Sequence, residues 1–396
     1  MDAKLVVGRI VTMTERGVLD DGALVIEAGK VAWLGPRSAL PEGFAGLPRT
    51  AAPLVTPGLV DAHTHAAWVG SRHGEYVAKL RGEGYEAIAA RGGGIVASMR
   101  AIEEADVPTI AQVLVERLRR MARLGVTTVE VKSGYGLRPE LERRQLAAIA
   151  EAARATGVPR VVPTFLALHS LPPESRGDEG KRAAYVASAT RLVREVAAEA
   201  RFVDAYVDRN AFRVDEAREV MRAAREAGLG VRMHVGQFAD VGGAELCAEL
   251  GARSADHLEN VGEGGLRAMA DAGVAACLLP IASFVLGQAP PDVAAMRAAG
   301  VRLVVASDAN PGTAPSESLP LAMAFAARLY GLSTDEILDG TTRQAARSLD
   351  VDAGFLAVGA TADVVGWDLP HEDALLQPWG SPRTLFALRD GAALWS

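Results

Sequence analysis

Residues 54–65, Leu54-Val55-Thr56-Pro57-Gly58-Leu59-Val60-Asp61-Ala62-His63-Thr64-His65, join an apolar run to an H-x-H pair. The run is short, aliphatic and punctuated by Pro57 and Gly58, so it predicts a brief buried strand. Side chains alternate along a strand, which would point His63 and His65 the same way from its end. Two imidazoles held in parallel can grip one divalent metal ion, and imidazole suits zinc or iron. The pair by itself carries little weight, because histidines two residues apart occur without any metal. The rest of the chain has to give it an address.

Downstream, apolar β-rich runs recur at 126–131, 160–168, 202–208, 230–235, 254–258, 274–280 and 302–308, which with 58–63 makes eight. Between them lie amphipathic segments rich in Ala, Glu and Arg, such as VPTIAQVLVERLRRMARLG and VDEAREVMRAAREAGLG, each closed by a glycine that stops a helix. Strands alternating with helices predict an α/β chain folded as a (β/α)8 TIM barrel over residues 57–354. The span from His65 to Pro108 is too long for a simple connection and is expected to fold over the barrel mouth. Residues 1–56 and 355–396 read differently, as short alternating pieces such as LVVGRIVTM and ADVVGWDL cut by glycine turns. Neither end has enough strands to bury a face, so the two are expected to pair into one small antiparallel β-sandwich domain.

The chain has 396 residues, 49% of them hydrophobic and 23% charged, with a net charge of −7, which describes a soluble globular protein with a sizeable core. The acidic balance argues against nucleic acid or an anionic membrane surface as the main partner. The first residues carry charges at Asp2, Lys4 and Arg9 and lack the apolar core of a signal peptide, so the cytoplasm is the expected location. The longest uncharged stretch, 272–291, is interrupted by Pro280, Gly287, Pro290 and Pro291 and reads as a buried strand plus loop. Cys247 and Cys277, the two cysteines, sit in apolar surroundings and read as small core residues rather than ligands or a disulfide.

Active sites of barrels of this kind lie at the C-terminal ends of the strands. Of seven histidines, His63 and His65 end the first strand, His169 follows the third, His234 ends the fifth and His257 the sixth, while His73 and His371 fall elsewhere. Asp308 ends the eighth strand, directly after Leu303-Val304-Val305 and Ala306-Ser307. His63, His65, His234 and Asp308 suit a single divalent metal, which lowers the pKa of a bound water towards ~7. A carboxylate beside that water can take its proton and pass it to a leaving nitrogen, and His257, one strand along, can polarise the attacked carbonyl.

This arrangement resembles the amidohydrolase superfamily, metal-dependent hydrolases built on a barrel with a split β-sandwich. Within it the chain resembles the imidazolonepropionase family. The stretches that carry the closer likeness are HTHAAWVGSRHGEY, YEAIAARGGGIVASMRA, GVTTVEVKSGYGL, TFLALHSLP, GGAELCAELGARSADHLE, LLPIASF and ASDANPGTAPSESLP, from about residue 58 to residue 320. The resemblance implies hydrolysis of the cyclic amide of 4-imidazolone-5-propanoate to N-formimino-L-glutamate in histidine degradation, metal-bound hydroxide attacking the ring carbonyl with help from Asp308 and His257. It implies His63, His65, His234 and Asp308 as ligands of one Zn2+ or Fe, and Arg72, Tyr135 and His169 as substrate contacts. Asn310, Gly312 and Thr313 match the family's substrate loop after strand eight. An arginine suits the substrate's carboxylate tail, which it can meet with two parallel N–H bonds. A homodimer follows by family analogy.

Two positions depart from the plain pattern. Gln237 stands three residues after His234 where the family often has glutamate; an amide carries no proton, so Gln237 is expected to orient the substrate ring by hydrogen bonding. Lys132 ends strand two, whereas a carboxylated lysine bridging two metals usually lies on strand four, so a single metal and a structural Lys132 are expected. Gly92-Gly93-Gly94 is expected to act as a hinge or a point of close approach in the lid. The rival readings are another cyclic amidohydrolase or deaminase on the same metal cage, and a metal-free binding protein that kept the barrel.

Overall fold

The computed structural model describes residues 3–83, 93–379 and 381–395. Eight strands form one parallel sheet in strict sequence order: Leu59–Asp61, Val126–Lys132, Arg160–Leu168, Phe202–Val207, Gly230–Val235, Ser254–His257, Ala275–Leu278 and Arg302–Val305. The first and last close on each other just past their ends, where Asp308 N donates to His63 O at 3.1 Å and His65 N to Ala309 O at 3.0 Å. Asp61 reinforces the seam, accepting from Ser307 N at 3.0 Å and Ser307 Oγ at 2.6 Å. The expected (β/α)8 barrel is therefore what the chain forms.

Local chemistry explains the helices that wrap it. In Val107–Ala122 the Asp106 side chain caps the first turn by accepting from Thr109 N at 2.9 Å, Pro108 occupies a position that needs no N–H, and Ile110, Leu114, Leu118 and Met121 recur on one buried face. Gly125 and Gly228, read as stops, adopt the left-handed φ values of 91° and 79° that other residues resist. The 272–291 stretch differs from expectation after its strand: Pro280–Leu286 is a helix, opened by Pro280 and closed by Gly287 at φ 64°. Among the described residues no helix is long and apolar enough to cross a membrane.

Both ends of the chain share a seven-stranded sheet. Val364–Trp367 pairs antiparallel with Arg49–Pro57, as anticipated for two ends that cannot fold alone. Lys4–Val11 runs parallel to Arg49–Pro57, however, so the sheet is mixed rather than antiparallel. The reason is topological: the hairpin Val18–Glu27/Lys30–Pro36 occupies one edge of the first strand, and the connection through residues 37–48 is long enough to cross to the other edge. The hairpin also reaches the far end of the sheet, Ala362 N donating to Gly29 O and Val31 N to Ala360 O at 2.9 Å each. The sheet thereby folds over a core that includes Val6, Ile10, Leu24, Val55, Val364 and Leu388. Arg160 links this sheet to the barrel through Asp363 and Asp390, each at 2.7 Å.

Inside the barrel, Val60, Val162, Phe202, Ala275, Cys277 and Val304 pack together. A Cβ on Gly230 would fall 2.4 Å from the Phe202 ring, so the glycine makes room for it. Cys247 and Cys277 are both free and buried.

Candidate active site

At the C-terminal mouth the strand-end residues converge. His65 Nε2 lies 3.2 Å from His234 Nε2 and 3.5 Å from Asp308 Oδ1, and His63 Nε2 lies 3.6 Å from the same oxygen. All four side chains are buried. Ligands arranged tetrahedrally at Zn–N distances stand about 3.3 Å apart, so the spacing matches a shared metal ion. His63 Nε2 and Asp308 Oδ1 have no hydrogen-bond partner, an arrangement that leaves buried polar atoms unpaid for unless something else occupies their centre. Three histidines from two strands with ligand atoms within 4.8 Å of one another form a group that could hold a metal ion. By donor chemistry and spacing, the residues fit a divalent metal ion.

The other ring nitrogens of His63 and His234 are held by acidic residues that sequence reading did not single out. His63 Nδ1 meets Asp256 Oδ2 at 2.7 Å and His234 Nδ1 meets Asp204 Oδ1 at 3.0 Å. A carboxylate on Nδ1 sets the tautomer that leaves Nε2 free for a metal. Asp204 in turn contacts Lys132 Nζ at 2.8 Å, Lys132 contacts Glu130 at 2.7 Å, and Glu130 accepts from Thr64 N at 3.1 Å. The signal for all three acids was present as charge inside otherwise apolar strands, in FVDAYV, SADH and VTTVEVK.

Charge states follow from this burial. Burial pushes His63 and His65 well below the ordinary imidazole value, helped by the neighbouring positive groups, so both rings are neutral. Burial also raises the Asp308 carboxyl to about 6, against the pull of His257 and His234. For Lys132, burial alone would lower the ammonium, but Asp204 and Glu130 outweigh it and hold it charged. A charged amine flanked by two carboxylates cannot become a carbamate, in keeping with the structural role expected of Lys132.

The predicted substrate residues stand around this cluster. Tyr135 and His169 are buried or nearly so, with ring centroids 5.3 Å apart, and His169 stacks on His65 at 5.2 Å. His169 Nδ1 donates to Gly134 O at 2.7 Å, and burial lowers its pKa to about 4. The Ser133–Leu137 turn that carries Tyr135 wraps the buried Glu142 carboxylate, which accepts from Gly134 N and Leu137 N at 2.8 Å each. Gln145 accepts from Tyr135 N at 3.1 Å and donates to Ala67 O at 3.0 Å, tying that turn to the segment after His65.

Arg72 lies across the mouth. Its Nε and Nη2 meet Glu75 Oε2 at 3.0 and 2.8 Å, and Nη1 sits so near the loop after strand eight that a Cβ on Gly312 would come within 2.5 Å. The Asn310 side chain is engaged within its own loop: Oδ1 accepts from Gly312 N at 2.8 Å and Thr313 N at 2.7 Å, and Nδ2 donates to Asp308 O at 2.8 Å and Thr313 Oγ1 at 2.9 Å. Gln237 Oε1 accepts from Tyr206 Oη at 2.7 Å, while its backbone carbonyl accepts from Asn260 and Gln288. His257 is buried, with its ring centroid 5.5 Å from that of His234 and 6.1 Å from that of His63.

The segment that follows strand one is pinned at its root by Arg117, which donates to Ala66 O and to Trp68 O at 3.1 Å and lies 3.3 Å over the Trp68 ring. Helices His73–Leu80 and Ile95–Glu104 belong to this segment. Of the expected hinge Gly92-Gly93-Gly94, Gly92 lies with residues 84–91 outside the described residues.

Comparison with known proteins is consistent with this geometry. Residues 54–391 match the amidohydrolase family. The chain is 42% identical over 393 residues to Imidazolonepropionase of Maricaulis maris, covering 97% of each, and 42% identical over 376 residues to that of Paracoccus denitrificans, covering 92% of each. A mutant atrazine chlorohydrolase from Arthrobacter aurescens, solved with zinc and atraton, superposes with a TM-score of 0.72 over 98% of this chain and 94% of its own at 16% identity, a likeness of fold. Identity of 42% sustained over 97% of both chains is far beyond what a shared barrel requires, and the chain belongs to the amidohydrolase family and, within it, to the imidazolonepropionases.

Proposed function

We infer that this chain hydrolyses the cyclic amide of 4-imidazolone-5-propanoate to N-formimino-L-glutamate. The observation that carries the reading is the cluster of His63, His65, His234 and Asp308 sharing one barrel mouth with the Arg72 guanidinium against Gly312. The cluster provides for hydrolysis, and the guanidinium provides for a substrate that brings a carboxylate.

His63, His65, His234 and Asp308 hold one divalent metal, zinc or iron, since three imidazoles and a carboxylate accept either. When bound, it supplies a Lewis acid that lowers the pKa of water and makes hydroxide available near neutrality. Asp308 takes the proton of the attacking water. The water oxygen bonds to the carbonyl carbon, the ring C–N bond breaks, and the nitrogen leaves with the proton that Asp308 returns. His257 faces the carbonyl oxygen and supports the charge that develops there.

Arg72 grips the propionate with parallel N–H bonds, which requires it to turn from Glu75 towards the substrate. Tyr135 and His169 line the same pocket, with His169 held by Gly134 so that Nε2 accepts. Gln237, its oxygen occupied by Tyr206, offers its amide N–H groups to the ring and carries no proton. Asn310 serves by shaping the loop whose Gly312 and Thr313 backbone borders the substrate.

The test is direct. Purified protein loaded with zinc or iron is expected to consume imidazolonepropanoate and release formiminoglutamate in equal amounts. Unchanged substrate and no product at full metal occupancy would sink the reading.

A further inference from the structure

Beside the metal cluster, two buried polar atoms face each other without a partner. His257 Nδ1 and Glu259 Oε2 are 3.8 Å apart, on side chains 4% and 2% exposed, and both lack a hydrogen bond. Leaving such atoms unsatisfied is costly, and closing the gap by about 1 Å would make a charge-assisted bond.

We propose that Glu259 is the positioning residue for His257: its carboxylate holds the Nδ1 proton of that ring and so commits Nε2 to the substrate's carbonyl oxygen. The inference rests on the hydrolytic reading above for what His257 does, and on geometry alone for the pairing.

Three features support it. The second carboxylate oxygen is fixed from a different part of the fold, accepting from Ser283 Oγ at 2.6 Å. Ser283 Oγ also lies 2.6 Å from Tyr330 Oη. Ser283 has one proton, which goes to Glu259, so Tyr330 must donate to Ser283. The chain of donors therefore runs Tyr330 to Ser283 to Glu259 Oε1, which leaves Oε2 to face His257. Helices Pro280–Leu286 and Leu319–Tyr330 thus aim the carboxylate from behind.

The backbone between the two residues is bent to the same end. His257 and Leu258 adopt φ values of 81° and 74°, left-handed conformations that non-glycine residues resist. Asn260 secures the bend, its N donating to Gly236 O and its Nδ2 to Gln237 O, both at 2.8 Å. In an undistorted strand, residues two apart stand side by side and point away from the backbone together. Here the bend turns the Glu259 carboxylate towards the imidazole edge.

A ring whose Nδ1 proton is held by a carboxylate has a defined Nε2: a lone pair when neutral, an N–H when protonated. Glu259 also offsets the charge of the protonated ring. Without it, the ring could present either nitrogen or either face.

The experiment uses the metal-loaded full chain and the variants Glu259→Gln, Glu259→Asp, His257→Asn and the double variant His257→Asn/Glu259→Gln. Glu259→Gln is expected to lower kcat by roughly 10- to 100-fold with KM within about twofold and metal content unchanged. Glu259→Asp should recover part of the loss, and the double variant should be no slower than His257→Asn. Losses that multiply in the double variant, or a rise in KM with kcat unchanged, would overturn the proposal. Long-range 15N spectra of histidine-labelled protein read the pairing without turnover, with His257 assigned by its absence from the His257→Asn spectrum. A protonated, hydrogen-bonded Nδ1 upholds the pairing, and a bare Nδ1 refutes it even where Glu259→Gln fails to fold. No turnover in the wild type together with a protonated Nδ1 would defeat the substrate reading and leave the pairing standing.

Discussion

Lys132 shows how one residue can matter to a site it does not line. Its ammonium lies between Glu130 and Asp204, and Asp204 orients His234. Replacing it with methionine, similar in length but uncharged, leaves two buried carboxylates facing each other. Lys132→Met is expected to destabilise the fold by about 3–5 kcal/mol, read as a lower urea midpoint at unchanged slope, and to weaken metal binding in step. Arg72 belongs to the same scale with the opposite signature. It is only partly buried and is bonded to Glu75, so Arg72→Ala should leave the unfolding midpoint nearly unchanged. Removing charge-assisted bonds to a carboxylate is worth about 1.5–3 kcal/mol, so KM should rise roughly 10- to 100-fold with kcat much less affected.

At the scale of elements, the loop after strand eight and the segment after strand one fit each other through an absence of side chain. A Cβ on Gly312 would collide with Arg72 Nη1 at 2.5 Å and with its Cζ at 3.0 Å. Gly312→Ala is therefore expected to displace the guanidinium and raise KM as Arg72→Ala does, with metal content intact. A KM equal to wild type would show that the guanidinium can retreat without loss. The same scale shows why some elements were legible and others were not. The helix at Val107–Ala122 carries its cap, proline and apolar spacing in consecutive residues. The helix at Pro280–Leu286 buries its first turn and exposes an apolar Phe284, so its run lacks the polar face that marks a helix, and it read as a loop.

For the molecule as a whole, the coupling between metal and fold sets a pH dependence. Burial raises Asp308 from 3.8 to about 6 in the metal-free chain, so the folded state holds this proton more tightly than the unfolded state. This group therefore costs stability as pH rises from 3.8 towards about 6. A metal at the cluster requires the ionised carboxylate and reverses that preference. Zinc added to chelator-stripped protein at a hundredfold excess over its Kd should stabilise it by about 2.7 kcal/mol at neutral pH. The gain should shrink as pH falls through about 6, read as a diminishing shift in Tm, because protons then compete for Asp308. A shift of equal size on both sides of that pH would exclude Asp308 from the ligand set.

The alternation of strands and helices, the histidines and aspartate at strand ends and the dependence of one chain end on the other were all determined by the sequence by itself. Each is a matter of local periodicity or of a residue's distance from the end of a strand. What only the tertiary structure decided is which polar groups hold the others in place. Asp256 behind His63, Asp204 behind His234, Glu142 within the Tyr135 turn and Glu259 beside His257 come from different strands and helices or from a bent backbone. The parallel pairing of Lys4–Val11 with Arg49–Pro57 likewise depends on which strand edge the hairpin left free. The H-x-H pair names a metal from sequence because its spacing is local. Its buttresses are chosen by proximity across the barrel, which no run of consecutive residues encodes.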